Sequence, residues 1–195
     1  MADDIRTRIL DAAIRLLEKE GSKGFGQTRV SREAGVQQGH LTYYFPKKAD
    51  LVAGVLERLS EKARKEFERF VARASELGGR ERHELFFSHV RTLMMDKRRT
   101  RIVLGLAAEA GDDPELAALL AEKQLGQRPF VAVLLGREPD DPDVELALAT
   151  LRGLGIQHLL QGGDAGETEV LIERFRRWLE VLPPRSAVTL VSSPT

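Results

Sequence analysis

Between Gln37 and Lys48 the chain gathers side chains suited to gripping a flat, charged, hydrogen-bonding surface: Gln37, Gln38, His40, Thr42, Tyr43, Tyr44, Lys47 and Lys48. A Gln amide presents a donor and an acceptor in one plane and can bond an adenine edge at two points. A Thr methyl can meet a thymine methyl, and Tyr hydroxyls suit phosphates. Gly39, among them, lets a backbone approach closely. Lys47 and Lys48 beside a phosphate chain would make binding fall with salt. Other readings compete. Two lysines alone describe a solvated helix start, and Tyr43-Tyr44-Phe45 could be the core of a small helical domain. Phe45 is read as core, while Tyr43 and Tyr44 stay open between the two roles.

Such groups act together only if short rigid elements aim them. Ile5, Ile9, Leu10, Ala13, Leu16 and Leu17 recur at spacings of three and four, which predicts a helix stopped by Gly21. A second helix is expected from about Gln27 to Ala34, and a third from Gln38 to Phe45, ended by Pro46. Gly35 between them permits a left-handed turn. Val30, Ala34, Val36 and Leu41 are apolar where the two helices must pack on the first. This is the layout of a helix-turn-helix, whose last helix enters the DNA major groove.

The stretch from Val30 to Leu51, VSREAGVQQGHLTYYFPKKADL, resembles the DNA-binding signature of the tetracycline-repressor (TetR) family, and the likeness spans about residues 5 to 55. The resemblance implies a dimeric repressor whose variable C-terminal body binds an inducer. By position it implies base reading by Thr28, Gln38, Gly39 and Thr42, and phosphate contacts from Gln27, His40, Tyr43, Tyr44 and Lys48. Arg29, Gln37 and Lys47 complete the candidate DNA-binding set. Two positions depart from the family pattern. Ser31 stands where Ala is usual, a change that helix packing can absorb. Thr42 stands where Tyr is common and alters a groove-facing residue, so the operator is expected to be this protein's own.

Beyond residue 46 the expectation is all-α throughout. Leu51, Val55, Leu59, Ala63, Phe67, Phe70 and Ala74 share one face of a long connecting helix over 47–77, about 40 Å at ~1.5 Å per residue. The segment Glu81 to Asp96 carries Leu85, Phe86, Phe87, Val90, Leu93 and Met94 nearly all round, which predicts a central, buried helix. Arg101 to Ala110 follows, then Pro114 to Gly136 with a kink or split at Pro129, then closing helices over Pro142 to Gln161 and Glu167 to Leu182. The division is therefore a helix-turn-helix domain over 1–46, a regulatory and dimerisation domain over 47–182, and a flexible tail over 183–195.

The closing helices have wide apolar faces. Leu148, Leu151, Gly155, Leu159, Leu171, Phe175 and Trp178 are the expected interface of an isologous four-helix bundle with a second copy. One short recognition helix reads few base pairs, so two heads about one DNA turn apart (~34 Å) and a near-palindromic operator are expected. A mainly lipophilic effector is expected among Phe67, Phe70, Phe86, Phe87, Val90, Met94 and Leu104, with His89 or Arg91 as polar anchors. A Phe and Met stripe is also what an ordinary core looks like, and His89 could be a satisfied interior histidine. A regulator that answers to no ligand is the alternative.

Composition narrows the classes. The 195 residues are 42% apolar and 31% charged, enough for one sizeable core or one core and a satellite. Net charge is zero, but residues 1–50 carry nine Lys/Arg against seven Asp/Glu, and 137–175 carry three against nine. There is no Cys, hence no disulfide, thiolate metal site or cysteine nucleophile. Acidic residues at the start and no apolar run near the ~18 residues that cross a bilayer predict a cytoplasmic protein without membrane association. No G-x-S-x-G elbow, P-loop or metal-spaced His pair occurs. Gly153-Leu-Gly155 begins like a dinucleotide fingerprint but lacks the third Gly and a preceding strand. Neither catalysis, nor a cofactor, nor a metal is expected.

Overall fold

The computed structural model describes residues 2–111, 113–124 and 128–181. Among them the chain forms α-helices and one 3-10 turn, with no strand. The all-α expectation holds. Helix α1 spans Ala2–Glu20 and passes through the 3-10 turn Gly21–Gly24 into α2 (Gln27–Ala34) and α3 (Gln38–Tyr44). Helix α4 is Lys48–Ser75, α5 Gly79–Met95, α6 Lys97–Ala110 and α7 Pro114–Gln124. Helices α8 (Arg128–Leu135), α9 (Pro142–Leu160) and α10 (Ala165–Val181) complete the order. Leu182 and the expected tail over 183–195 lie outside the described residues.

The helix ends follow local chemistry. Gly21 and Gly35 take φ of 64° and 63°, left-handed values that a β-carbon disfavours, and so end α1 and α2. Asp141 caps α9 by accepting the Asp143 amide at 2.8 Å, and Pro142 supplies the first-turn residue that needs no donor. Asp113 caps α7 in the same way through the Glu115 and Leu116 amides at 3.0 and 3.1 Å. Pro129 is the second residue of α8, so the long segment expected over 114–136 is two helices. Helix α6 starts at Lys97, four residues before Arg101 where a helix was expected.

The helices sort into two compact units. The first gathers α1 to α3, α4 up to Glu66, α6 and α7. Its core holds Ile9, Leu17, Val30, Leu41, Leu51 and Val55, together with Ile102 and Leu106 from α6. Gly105 permits that docking: a β-carbon there would lie 2.9 Å from Leu17 Cδ2 and 3.3 Å from the Ser22 amide nitrogen. The bidentate pair of Arg58 with Asp11, at 2.7 and 3.0 Å, ties α4 to α1.

The second unit gathers α4 from Phe67, α5 and α8 to α10. Phe70, Phe86, Phe87, Val90, Val144, Leu148 and Phe175 form its core. Helix α5 is not buried all round as expected. Phe86, Phe87 and Val90 face inward while Ser88, Arg91 and Thr92 are exposed, because polar residues interrupt the apolar ones on that side. Packing groups the start of α4, α6 and α7 with the first three helices, whereas the sequence division places all of residues 47–182 in one domain.

Candidate nucleic-acid interface

The Gly35 turn is held from three directions. Its amide donates to the Arg32 carbonyl at 3.1 Å, and the Val36 amide to the Ser31 carbonyl at 3.0 Å. From α1, the Arg8 guanidinium donates to the Ala34 carbonyl at 2.8 Å and the Gly35 carbonyl at 3.2 Å. Arg8 thus satisfies carbonyls that the end of α2 leaves open. Leu41 is fully buried and Phe45 nearly so. Burying those two fixes the rotation of α3 and leaves Gln38, Gly39, His40 and Tyr43 outward, with Tyr43 79% exposed.

The remaining expected contacts fall around this face in different states. Thr28 and Arg29 are exposed on α2, and Gln37 is exposed at the N-cap of α3. Arg29 is engaged by Glu20 at 2.6 Å. Gln27 donates its amide to the Phe45 carbonyl at 2.8 Å, linking the start of α2 to the end of α3. The Thr42 hydroxyl bonds back to the Gln38 and Gly39 carbonyls, both at 3.2 Å, which leaves its methyl as the group it offers outward. Tyr44 is half-buried against the core and meets Tyr43 edge-on, with ring centroids 5.2 Å apart.

At the start of α4 the Lys47 amide donates to Asp50 Oδ2 at 2.7 Å. Lys48 pairs with Glu109 of α6 and lies over the Phe25 ring, 5.9 Å from its centroid. Sequence reasoning missed both Arg8 and Glu109. Each meets its partner across dozens of intervening residues, and neither interrupts the apolar periodicity of its helix.

In the second unit, Phe67, Phe70 and His89 converge on Phe130, which the sequence reading passed over. The centroid distances are 4.3, 4.9 and 5.1 Å, and the His89 and Phe130 rings are nearly parallel at 8°. Phe130 follows Pro129 and is the aromatic member of the apolar run in α8, the one signal that pointed to it. Phe86, Phe87 and Val90 are buried beside Phe70 in the same core, and Met94 is half-buried against it. Arg91 is exposed and paired with Glu169 at 2.9 Å. Leu104 belongs to the other unit, on α6, where it is exposed.

On α9 and α10, Leu148, Leu151, Gly155 and Phe175 are buried inside the subunit, Leu159 and Leu171 are half-buried, and Trp178 is exposed. The apolar residues left outward are Leu146, Leu160, Val170, Trp178 and Val181. The reason is the composition of α9, where leucines lie all round the helix and spacing alone does not choose the inward side.

A recognition helix with an outward polar face, fixed by a left-handed turn and followed by lysines, is the geometry of a helix-turn-helix DNA-binding head. Residues 9–55 match the sequence model of the bacterial regulatory proteins of the tetR family. A repressor from Rhodococcus jostii, the HTH-type transcriptional repressor KstR, is 29% identical over 150 residues, covering 73% of this chain and 65% of its own length, just under two thirds. A TetR-family structure from Streptomyces coelicolor is 26% identical with a TM-score of 0.63, covering 88% of this chain and 97% of that one. The multidrug binding protein EbrR complexed with ethidium is 29% identical with a TM-score of 0.61, at the same coverages. Residues 9–55 are thus similar to the DNA-binding domain of the tetR-family regulators, and the rest of the chain resembles their solved structures in fold. Among the described residues no helix is long and apolar enough to cross a membrane.

Proposed function

We propose that this protein is a dimeric repressor that binds a near-palindromic operator and leaves it when a small, mainly lipophilic molecule enters the second unit. The observation that carries the DNA half is the face of α3, where Gln38, Gly39, His40 and Tyr43 stand outward around a rotation fixed by Leu41. Gln38 and the Thr42 methyl read bases. His40, Tyr43, Lys47 and Lys48 hold phosphates, and Thr28 and Arg29 reach the groove edge. The name of the Rhodococcus relative supports repression, and the protein acts where chromosomal DNA is, in the cytoplasm.

The exposed apolar side chains of α9 and α10 form the contact with a second copy, whose head reads the other half-site. The effector lodges at the Phe67, Phe70, His89 and Phe130 rings, beside Phe86, Phe87, Val90 and Met94. A flat aromatic molecule suits that ring set, and EbrR, a multidrug binding protein similar to this chain, is complexed with a flat aromatic cation, ethidium. Helix α4 contributes to both units and is one of the covalent links between them. An effector shifts the operator equilibrium only by its differential affinity for the two forms, typically ~1–3 kcal/mol.

Selection of bound fragments from random duplex DNA tests the reading. The expected product is a motif of two inverted half-sites about one turn apart. Recovery of a single asymmetric element, or of no motif, overturns it. Because the four rings already pack on one another, a ligand-independent regulator is the second reading. Thermal stabilisation by members of a panel of flat lipophilic compounds, with matching loss of operator affinity, separates the two.

A further inference from the structure

Ser31 is buried in the middle of α2, only 5% exposed, although its hydroxyl is a polar group that must be satisfied there. Its Oγ lies 3.0 Å from the Thr28 carbonyl oxygen, one helical turn back, which takes the hydroxyl proton. Its lone pairs are then free, and the atom they meet is the terminal amide of Gln38, with Oε1 at 3.5 Å. The backbone brings the two residues together: the Ser31 carbonyl accepts the Val36 amide across the Gly35 turn, so the first residue of α3 returns beneath α2.

We propose that Ser31 is a positioning residue for base reading, holding the Gln38 amide in the plane and direction needed to engage a base edge. The inference rests on Gln38 being a base reader. A half-turn about the last side-chain bond of Gln38 exchanges its amide N and O without moving other heavy atoms. Nε2 then faces Ser31 Oγ and donates one of its two protons to it. The second proton and the carbonyl oxygen remain side by side on the outer edge, the pair that an adenine N7 and N6 amine require. Ser31 thereby removes rotamer freedom that Gln38 would otherwise lose on binding the correct base. An alanine at 31 would pack equally well and leave the amide to rotate.

The test uses the full-length protein and the operator recovered by selection. Affinities of wild type, Ser31→Ala, Gln38→Ala and the double variant are measured on that duplex, on duplexes changed at one base pair, and on a scrambled duplex. Ser31→Ala is expected to lose about three- to tenfold discrimination at the base pair that Gln38→Ala relaxes. Its affinity for the scrambled duplex, its salt slope and its melting temperature stay at wild-type values, and it adds no further loss once Gln38 is gone. If Ser31→Ala keeps full discrimination while Gln38→Ala relaxes it, the positioning role is overturned and the base-reading role stands. If Gln38→Ala changes no base preference, the base-reading role fails and the proposal falls with it.

Discussion

The two units solve the same packing problem but leave opposite surfaces behind. In the first, burying Leu41 and Phe45 turns α3 so that Gln38, His40 and Tyr43 remain in solvent. In the second, burying Leu148, Leu151 and Phe175 leaves Leu160, Val170 and Val181 outside, the outermost 81% exposed. A hydrogen-bonding outer face suits a partner that presents bases and phosphates. An apolar one suits another protein surface, and a second copy of the same helices is the occupant this account assigns.

Breaking the anchor of the first unit gives the largest expected effect. Leu41→Ala removes a fully buried side chain from under α3 and should cost about 2–5 kcal/mol, read in thermal denaturation, with operator binding lost at ambient temperature. Loss of binding without any change in melting would contradict the anchoring role. The complementary change targets the second unit's surface. Leu160→Glu combined with Val181→Glu places charges on two residues that contribute little to the core, so the fold should persist while light scattering reports a monomer. A dimer that survives both charges would remove this face from the assembly.

A finer contrast concerns Lys48, which is shared between its expected phosphate and Glu109. Lys48→Ala should weaken binding to all duplexes and flatten the salt slope by ~1. Glu109→Gln frees the lysine, so affinity should rise at low salt and the slope should steepen. An unchanged slope in both variants would sever Lys48 from the DNA. The smallest effect is an acid dependence within the second unit. A hydrogen bond from Arg176 holds the Glu84 carboxyl below its ordinary range. The folded value is depressed, so the stabilisation is present above the ordinary carboxylate pKa and is lost as pH falls through the depressed one. A Glu84→Gln protein should therefore melt slightly below wild type near neutrality and alongside it in strong acid, as scanning calorimetry would record.

The same contrast explains what could be read from the chain. Helices α2 and α3 lie within one turn of each other in sequence, and Gly35 with Leu41 suffices to place Gln38 outward. What stayed hidden is long-range. Arg8 reaches Gly35 from α1, and Glu109 reaches Lys48 from α6. The start of α6 also escaped notice, because the run Lys97-Arg-Arg-Thr-Arg101 carries no apolar periodicity. In α9 the difficulty is the reverse. Leucines on every side make inward and outward positions equivalent by spacing, so Leu148 and Leu151 read as surface when they are core. Ser31 was visible as a departure from the family pattern, but its contact with Gln38 depends on the turn geometry.

The most direct test of DNA reading by α3 is titration of the full-length protein, over a range of salt, against the selected operator and a scrambled duplex of equal length. Affinity for the operator should exceed that for the scrambled duplex about 10³-fold or more, with both affinities falling steeply as salt rises. Equal affinity for the two duplexes, or binding indifferent to salt, would contradict that reading.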